Sequence, residues 1–388
     1  MQSKRNIISF ELWRKKIILR IAIVNLTAGG MSGGYRKYLQ NILPLMAKDK
    51  RVDGLEVYIP VGHADIFSNN AFSLHNIPAD NVSNNKTWLR NELVTHQFDV
   101  VFIPSAMWIN CGKTPFVTMI QNMEPLVVPF QGNPLKECIK NIGRYMANLY
   151  ACRRAHRVIA ISKFVKTYLT EKWRIASDRI DLVYHGIDLT TQASADDHGA
   201  IALLKSFLFI FTAGSIRPAR GLEDIIRALA ILNTEQPVQL AVGGNVDPGM
   251  EPYFSKLKKM AENLGITERI HWLGKMNDSE MAWCYSHCDA FIMTSRVEAC
   301  PNIALEAMSY GCVNIASENP PLPEFFGNSA FYYPPKDAKT LAQLIRKVLS
   351  LDKPEKDALS NTGKSIASKF SWEVCAQKTV SELQKALI

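Results

Sequence analysis

Two glutamates and two arginines are the residues of this chain whose types and spacing point most directly to chemistry. Glu298 and Glu306 lie within one stretch, Ile292 to Ser317, which reads IMTSRVEACPNIALEAMSYGCVNIAS. Carboxylates accept several hydrogen bonds, so the pair could surround a polyhydroxylated ligand. Arg217 and Arg220 stand in GSIRPARGLEDI, between a strand end and a helix start. Two guanidiniums beside the free N–H groups of a helix terminus make a strong site for a diphosphate. Nucleotide sugars need both features together, cations for phosphate and carboxylates for hydroxyls. The residues alone leave a second reading open. In it, Glu298 is a helix-start charge, Glu306 a solvated helical position, and one or both arginines lie on the surface.

These residues sit on loops that a particular sheet must hold. Phe291 to Thr294 end an apolar strand, and Ser295 to Asn302 form a polar loop holding Arg296, Glu298, Cys300 and Pro301. Ile303 to Tyr310 carry apolar residues at helical spacing, Gly311 supplies the stop, and Val313 to Ala316 begin another buried strand. Phe207 to Ala213 form the strand before the loop Gly214 to Gly221. Val238 to Val242 form the strand before Gly243 and Gly244, where backbone can come close to a ligand. In open parallel sheets ligands bind outside the carboxyl ends of strands, where all three loops fall.

The first half of the chain follows the same plan. Ile17 to Asn25 read as a strand, TAGGMSGG as a glycine turn, and the segment from about Tyr35 to Lys48 as a helix. Gly33 and Gly34 mark a close approach of the backbone, although the dinucleotide fingerprint is not met. Leu55 to Pro60, Phe98 to Pro104, Phe116 to Gln121, Arg157 to Ile161 and Ile180 to Val183 add strands, and Asn122 follows the third of these. The alternation predicts an α/β chain of two doubly wound Rossmann-like domains facing one another across a cleft. The expected divisions are 1–190 for the first domain, 191–206 for a linker and 207–365 for the second domain. Residues 366–388 form a helical segment expected to pack back on the first domain.

A length of 388 residues fits two cores better than one. No apolar run approaches the roughly 18 residues that span a bilayer, and no export signal is legible at the start. Eight dispersed cysteines, none paired at metal-finger spacing, fit reduced thiols in a cytosolic protein. A formal charge of +9 implies an anionic partner. The excess gathers at the start (Lys4, Arg5, Arg14, Lys15, Lys16, Arg20) and again between Lys136 and Arg174. Ile7, Ile8, Phe10, Leu12 and Trp13 interleave with the first group, which suits either a helix lying on an anionic membrane or a solvated tail. Nucleic acid is disfavoured, because no stacking aromatic motif accompanies the basic residues.

Glu298-Ala-Cys-Pro-Asn-Ile-Ala-Leu-Glu306, followed by Ala307-Met-Ser-Tyr-Gly311, resembles the signature of the retaining glycosyltransferases of family four, which have the GT-B fold. Arg217 to Gly221, Val242-Gly243-Gly244, LGITERIHWLGKM and Leu322-Pro323-Glu324 resemble further family segments. So do Gly33-Gly34, RVIAIS and YHGID in the first half. The resemblance implies that Glu306 binds the nucleotide ribose and Glu298 contacts the transferred sugar. Arg217 and Arg220 would hold the diphosphate and stabilise charge on the leaving nucleotide. It also implies donor-binding positions at Gly214, Gly243, Gly244, Cys300, Asn302 and Ile303, with Gly33, Gly34 and Asn122 facing them from the first domain.

No metal and no cofactor is implied, since the nucleotide sugar is a substrate. The implied activity is retaining transfer of a hexose or related sugar from a UDP- or GDP-sugar to a saccharide or lipid-linked acceptor. Such transfer would serve surface polysaccharide, lipopolysaccharide or glycolipid synthesis, in the cytoplasm or peripherally on the inner face of the plasma membrane. Two positions depart from the family: Gln121-Asn122 where His is common, and Pro301 where many members have Gly. Two alternatives are a sugar-nucleotide epimerase or phosphorylase, for which His185 and His63 are acid/base candidates, and a non-catalytic partner subunit.

Overall fold

The computed structural model describes residues 18–26, 33–61, 67, 71–78, 82–188, 199–232 and 238–388. The basic start, most of the TAGGMSGG turn and His63 lie outside the described residues.

Seven strands form the first sheet: β1 (Leu19–Val24), β2 (Val52–Pro60), β3 (Ser73–Ile77), β4 (Val100–Ile103), β5 (Phe116–Ile120), β6 (Arg157–Ala160) and β7 (Ile180–Leu182). Six form the second: β8 (Phe209–Ala213), β9 (Gln239–Gly243), β10 (Ile270–Gly274), β11 (Ala290–Met293), β12 (Asn314–Ser317) and β13 (Ala330–Tyr333). The orders are β3-β2-β1-β4-β5-β6-β7 and β10-β9-β8-β11-β12-β13, and every paired strand is parallel. Helices on both faces explain why VVFI, FVTMI and AFIM are buried along their whole length instead of alternating. Each sheet reverses its winding once, between β1 and β4 and between β8 and β11. A ligand crevice opens at such a reversal. Both domains are thus doubly wound Rossmann-like units, in line with the resemblance.

Residues 199–204, within the segment expected as linker, form a helix whose Ile201 and Leu204 are buried in the second domain's core. The helix Lys353–Ala367 packs on the helix Asn302–Ser309. The chain then crosses back. Ser371 caps the helix Trp372–Lys385, whose Trp372, Cys375, Ala376, Val380 and Leu383 are buried in the core of the first domain. Glu382 on that helix pairs with Arg157 of β6 at 2.7 Å.

One buried ion pair positions the loops after β8 and β11. Arg296 donates from both terminal nitrogens to Asp224, at 2.5 and 2.7 Å, and neither side chain reaches solvent appreciably. The hydroxyl of Tyr333 (3.2 Å) and the backbone N–H of Lys336 (3.0 Å) complete the carboxylate's partners. Arg296 N also donates to Ala219 O at 2.7 Å, and Thr294 Oγ1 to Arg220 O at 2.6 Å. Arg296 therefore serves the frame of the loop.

His185 is buried, with its ring stacked on Tyr38 (centroids 4.8 Å apart) and tilted against Trp372 at 5.7 Å. Burial pushes its pKa down to about 4, with Asn302 opposing in part. Such a site is no place for proton exchange with a substrate.

Two outcomes follow from these contacts. Removing one partner of the buried pair, Asp224→Ala, strands the guanidinium of Arg296 and should cost about 3–5 kcal/mol in a urea melt. The double variant Asp224→Leu/Arg296→Met should recover much of that loss. For His185, the unfolded imidazole takes a proton near pH 6.5 while the folded one resists until about pH 4. The folded pKa is depressed, so this site's stability is complete above about 6.5 and is lost as pH falls toward 4. Acidification from pH 7 to 5 should lower the stability of the parent by about 2 kcal/mol more than that of His185→Phe. Equal pH dependence of the two urea midpoints would remove that assignment.

Candidate active site

Three strand ends of the second domain are stitched together by backbone. Gly214 N donates to Gly243 O (2.9 Å), Ile216 N to Asn245 O (2.8 Å) and Gly244 N to Gly274 O (2.7 Å). Gly214 and Gly244 have φ of +119° and +134°, and a Cβ on Gly244 would lie 2.1 Å from Gly214 O. The glycines therefore let the loops after β8 and β9 pass against each other. A Cβ on Gly214 would also lie 2.9 Å from Cζ of Arg220, so the bare backbone gives the guanidinium its seat.

On this frame Arg220 donates to Oε1 of Glu298, so one predicted cation and one predicted carboxylate meet directly. Arg217 turns the other way. Its Nε lies 2.9 Å from Oε2 of Glu124, in the first domain after β5, and its Nη1 3.2 Å from Asp247. Burial raises the pKa of Glu124, and the nearby Arg217 counters that rise. Asn122 accepts from the backbone N–H of Glu124 at 2.9 Å, so in this structure its side chain shapes that loop. Gln121 donates to Pro104 O at 3.0 Å.

Glu306 does not touch the arginines. Its two oxygens accept from Lys37 Nζ, in the first domain, at 2.8 Å and from the hydroxyl of Tyr285 at 3.0 Å. Burial works against the charge on Lys37, but Glu306 outweighs it and the ammonium's pKa is raised. Lys37 lies in the first turn and a half of the helix Gly33–Ala47, which begins at the glycine pair. Asn302 stands opposite, its Nδ2 3.6 Å from where a Cβ of Gly34 would sit, whereas a Cβ at Gly33 would meet nothing within 4 Å. Cys300 Sγ lies 3.6 Å from Asn302 Oδ1, and burial pushes its thiol far up, which makes it a poor nucleophile. Ile303 packs half-buried on the second domain's core.

The structure thus gathers Arg220, Glu298 and Gly214 at one point, and Cys300, Asn302 and Gly34 at another. Glu306 is held by groups to which sequence reasoning gave no role. Those groups are Lys37 and Tyr285, and the same is true of Glu124 and Asp247, which hold Arg217. The available signal for Lys37 was its place just inside the helix that the glycine turn opens. Glu124 and Asp247 follow strand ends, as site residues in such sheets do. Among the described residues, no group of three His, Cys, Asp or Glu side chains gathers as a metal site.

The outcome of comparison with known proteins agrees in both domains. Residues 54–191 match the family described as Glycosyltransferase Family 4, and residues 193–365 match that described as Glycosyl transferases group 1. A glycosyltransferase of Methanocaldococcus jannaschii whose activity is uncharacterised is 24% identical over 63% of this chain and 62% of its own length. The serotype-specific mannosyltransferase WbdA of Escherichia coli is 25% identical over 63% of this chain and 30% of its own. The chain thus spans less than two thirds of these relatives' length. Among solved structures, Anabaena HepE in complex with UDP-glucose superposes with a TM-score of 0.74 at 16% identity, covering 95% of this chain and all of that one. WaaG, a glycosyltransferase involved in lipopolysaccharide biosynthesis, gives 0.67 at 15%, covering 94% and 99%. At such identities the likeness is one of fold. The two family matches span both domains, and the chain belongs to the group 1 glycosyltransferases of family four, built on the GT-B fold.

Proposed function

We propose that the protein is a retaining glycosyltransferase. It moves a hexose or related sugar from a UDP- or GDP-sugar to a saccharide or lipid-linked acceptor, without a metal ion. The reading rests on one observation: Arg220 and Glu298 meet at the switch point of the second sheet, on loops locked together by Asp224 and Arg296. A diphosphate entering there exchanges carboxylate partners for its own oxygens at Arg220 and Arg217. Glu298, released from Arg220, then faces the sugar hydroxyls, and Glu306 accepts from the ribose hydroxyls once Lys37 gives way.

An acceptor hydroxyl attacks the anomeric carbon on the face from which the diphosphate departs. The bond from that carbon to the phosphate oxygen breaks, its electron pair stays on the phosphate, and the hydroxyl proton passes to the same oxygen. Arg220, joined by Arg217 once it leaves Glu124 and Asp247, supplies the stabilisation a metal would otherwise give. The wider family members support the class of reaction. One relative is named a mannosyltransferase, another a D-inositol 3-phosphate glycosyltransferase, and HepE holds UDP-glucose. A role in surface polysaccharide or lipopolysaccharide assembly draws on WbdA and WaaG, and work at the cytoplasmic face of a membrane is part of the same proposal. The epimerase or phosphorylase reading needs an acid/base side chain at the sugar. His185, the described candidate, is buried between Tyr38 and Trp372.

A panel of UDP- and GDP-sugars should contain one that raises the melting temperature, and Glu306→Ala should abolish that rise. With the same donor, Arg220→Ala should slow sugar release about a hundredfold, while excess EDTA should leave the rate of the parent unchanged. No stabilisation by any nucleotide sugar would defeat the donor assignment, and inhibition by EDTA the metal-free mechanism.

A further inference from the structure

The helix Leu135–Arg154 carries a face that the described residues of its own domain leave uncovered. Glu137, Cys138, Asn141, Ala151 and Cys152 turn inward. Leu135, Ile139, Ile142, Met146 and Tyr150 are between 43% and 77% exposed. Spaced by three or four residues, they form a single stripe about 22 Å long. Phe130, 60% exposed, stands just ahead of it in the preceding loop. Scattered apolar residues on a surface are ordinary, but a continuous stripe of large ones marks a binding face.

Charge selects the partner. Lys136, Lys140, Arg144, Arg153 and Arg154 are all exposed on this helix. Its single acid, Glu137, is buried and already engaged by Arg144 and by Lys140 at 3.5 Å. A protein partner or a second copy would need only the apolar stripe. Apolar side chains flanked by cations, with no exposed acid between them, match a bilayer with anionic headgroups. Position agrees with this. The helix begins beside the cleft, where a Cβ on Gly132 would lie 3.1 Å from Pro218 and where Glu124 pairs with Arg217.

We propose that this face is a membrane-docking surface, seating the cleft mouth against anionic lipid headgroups. Its apolar stripe enters the headgroup–acyl boundary while its cations meet lipid phosphates. An acceptor carried on a lipid would then present its saccharide at the rim of the site. That last consequence rests on the proposed activity, whereas the docking itself does not.

Co-sedimentation of the full chain with vesicles of phosphatidylcholine, with and without phosphatidylglycerol, tests it. The parent should bind the anionic vesicles and hardly bind the neutral ones, with binding weakened by salt. Ile139→Glu/Met146→Glu should lower partitioning about tenfold or more, at unchanged melting temperature. Lys136→Gln/Lys140→Gln should also weaken it, and deletion of residues 1–16 should leave most of it. Parent-like binding by the Ile139→Glu/Met146→Glu variant would overturn the proposal. So would a dimer on gel filtration that this variant splits, since a second copy would then cover the face. Vesicle binding that persists when no nucleotide sugar stabilises the protein would leave docking intact and remove only the donor reading.

Discussion

The candidate site depends on a carboxylate and a guanidinium buried together. Asp224 lies in the first turn of the helix Leu222–Ile231, and Arg296 on the loop after β11. Burying such a pair is expensive, and the geometry must be good for it to break even. Here it is bidentate, and Tyr333 and the Lys336 N–H donate to the Oδ2 that Arg296 shares. Its yield is register more than stability. If either loop slid along the other, a charge would be left unpaired in the core. Arg220 lies four residues before Asp224 and Glu298 two after Arg296, so the contact between them follows from the pair beneath.

Three carboxylates then tie one domain to the other, and they are not equivalent. Glu124 meets Arg217 and Glu306 meets Lys37, and each joins a residue of the proposed donor site to a group from the first domain. Glu324 accepts from the N–H groups of Lys163 (2.7 Å) and Phe164 (3.2 Å) and from the Tyr184 hydroxyl (2.7 Å). That carboxylate sits on the N-terminus of a helix already capped by Ser162, where the helix dipole favours negative charge. On the proposed reading, phosphate and ribose oxygens compete for Arg217 and displace Lys37 from Glu306. That reading assigns Glu324 no part in the exchange. The first two contacts are exchangeable and the third is a fixed support.

Much of the architecture was legible because fully buried strands write themselves as short apolar runs. IILRIAIVN, FVTMIQ and AFIM needed only their length and their flanking turns to be read as strands. β3 escaped, since SLHNI is an edge strand in which only Ile77 is fully buried and Ser73, His75 and Asn76 leave no apolar run. The helix Val82–Thr95 escaped for a similar reason, with NN in its first half and little amphipathic pattern. At the site, residue type and loop position sufficed to pick out Arg217, Arg220, Glu298 and Glu306. What they bind in this structure was not legible. Asp224 and Arg296 are 72 residues apart, and Lys37 and Glu306 are 269 apart. No local pattern records a pairing that only the packing of two sheets creates.

The same packing decides where the domains can pivot. The chain passes between them twice, and the two passages lie side by side. Ile187 N donates to Phe370 O at 3.3 Å, Tyr184 packs edge-on against Phe370 at 5.3 Å, and a Cβ on Gly186 would lie 2.1 Å from Trp372 N. Glycine at 186 is what allows the two backbones to touch. Beyond the second passage the helix Trp372–Lys385 is built into the first core, so that core is completed only after the second domain has been made. Two adjacent strands of backbone act as one axis, because separating them would break the contacts at Gly186 and Tyr184. On the proposed reading the cleft opens by rotation about that line, with Glu324 close to it through Tyr184. Contacts near an axis move least. That places the fixed carboxylate at the pivot and leaves the pairs of Arg217 and Glu306 as the ones that a rotation can part.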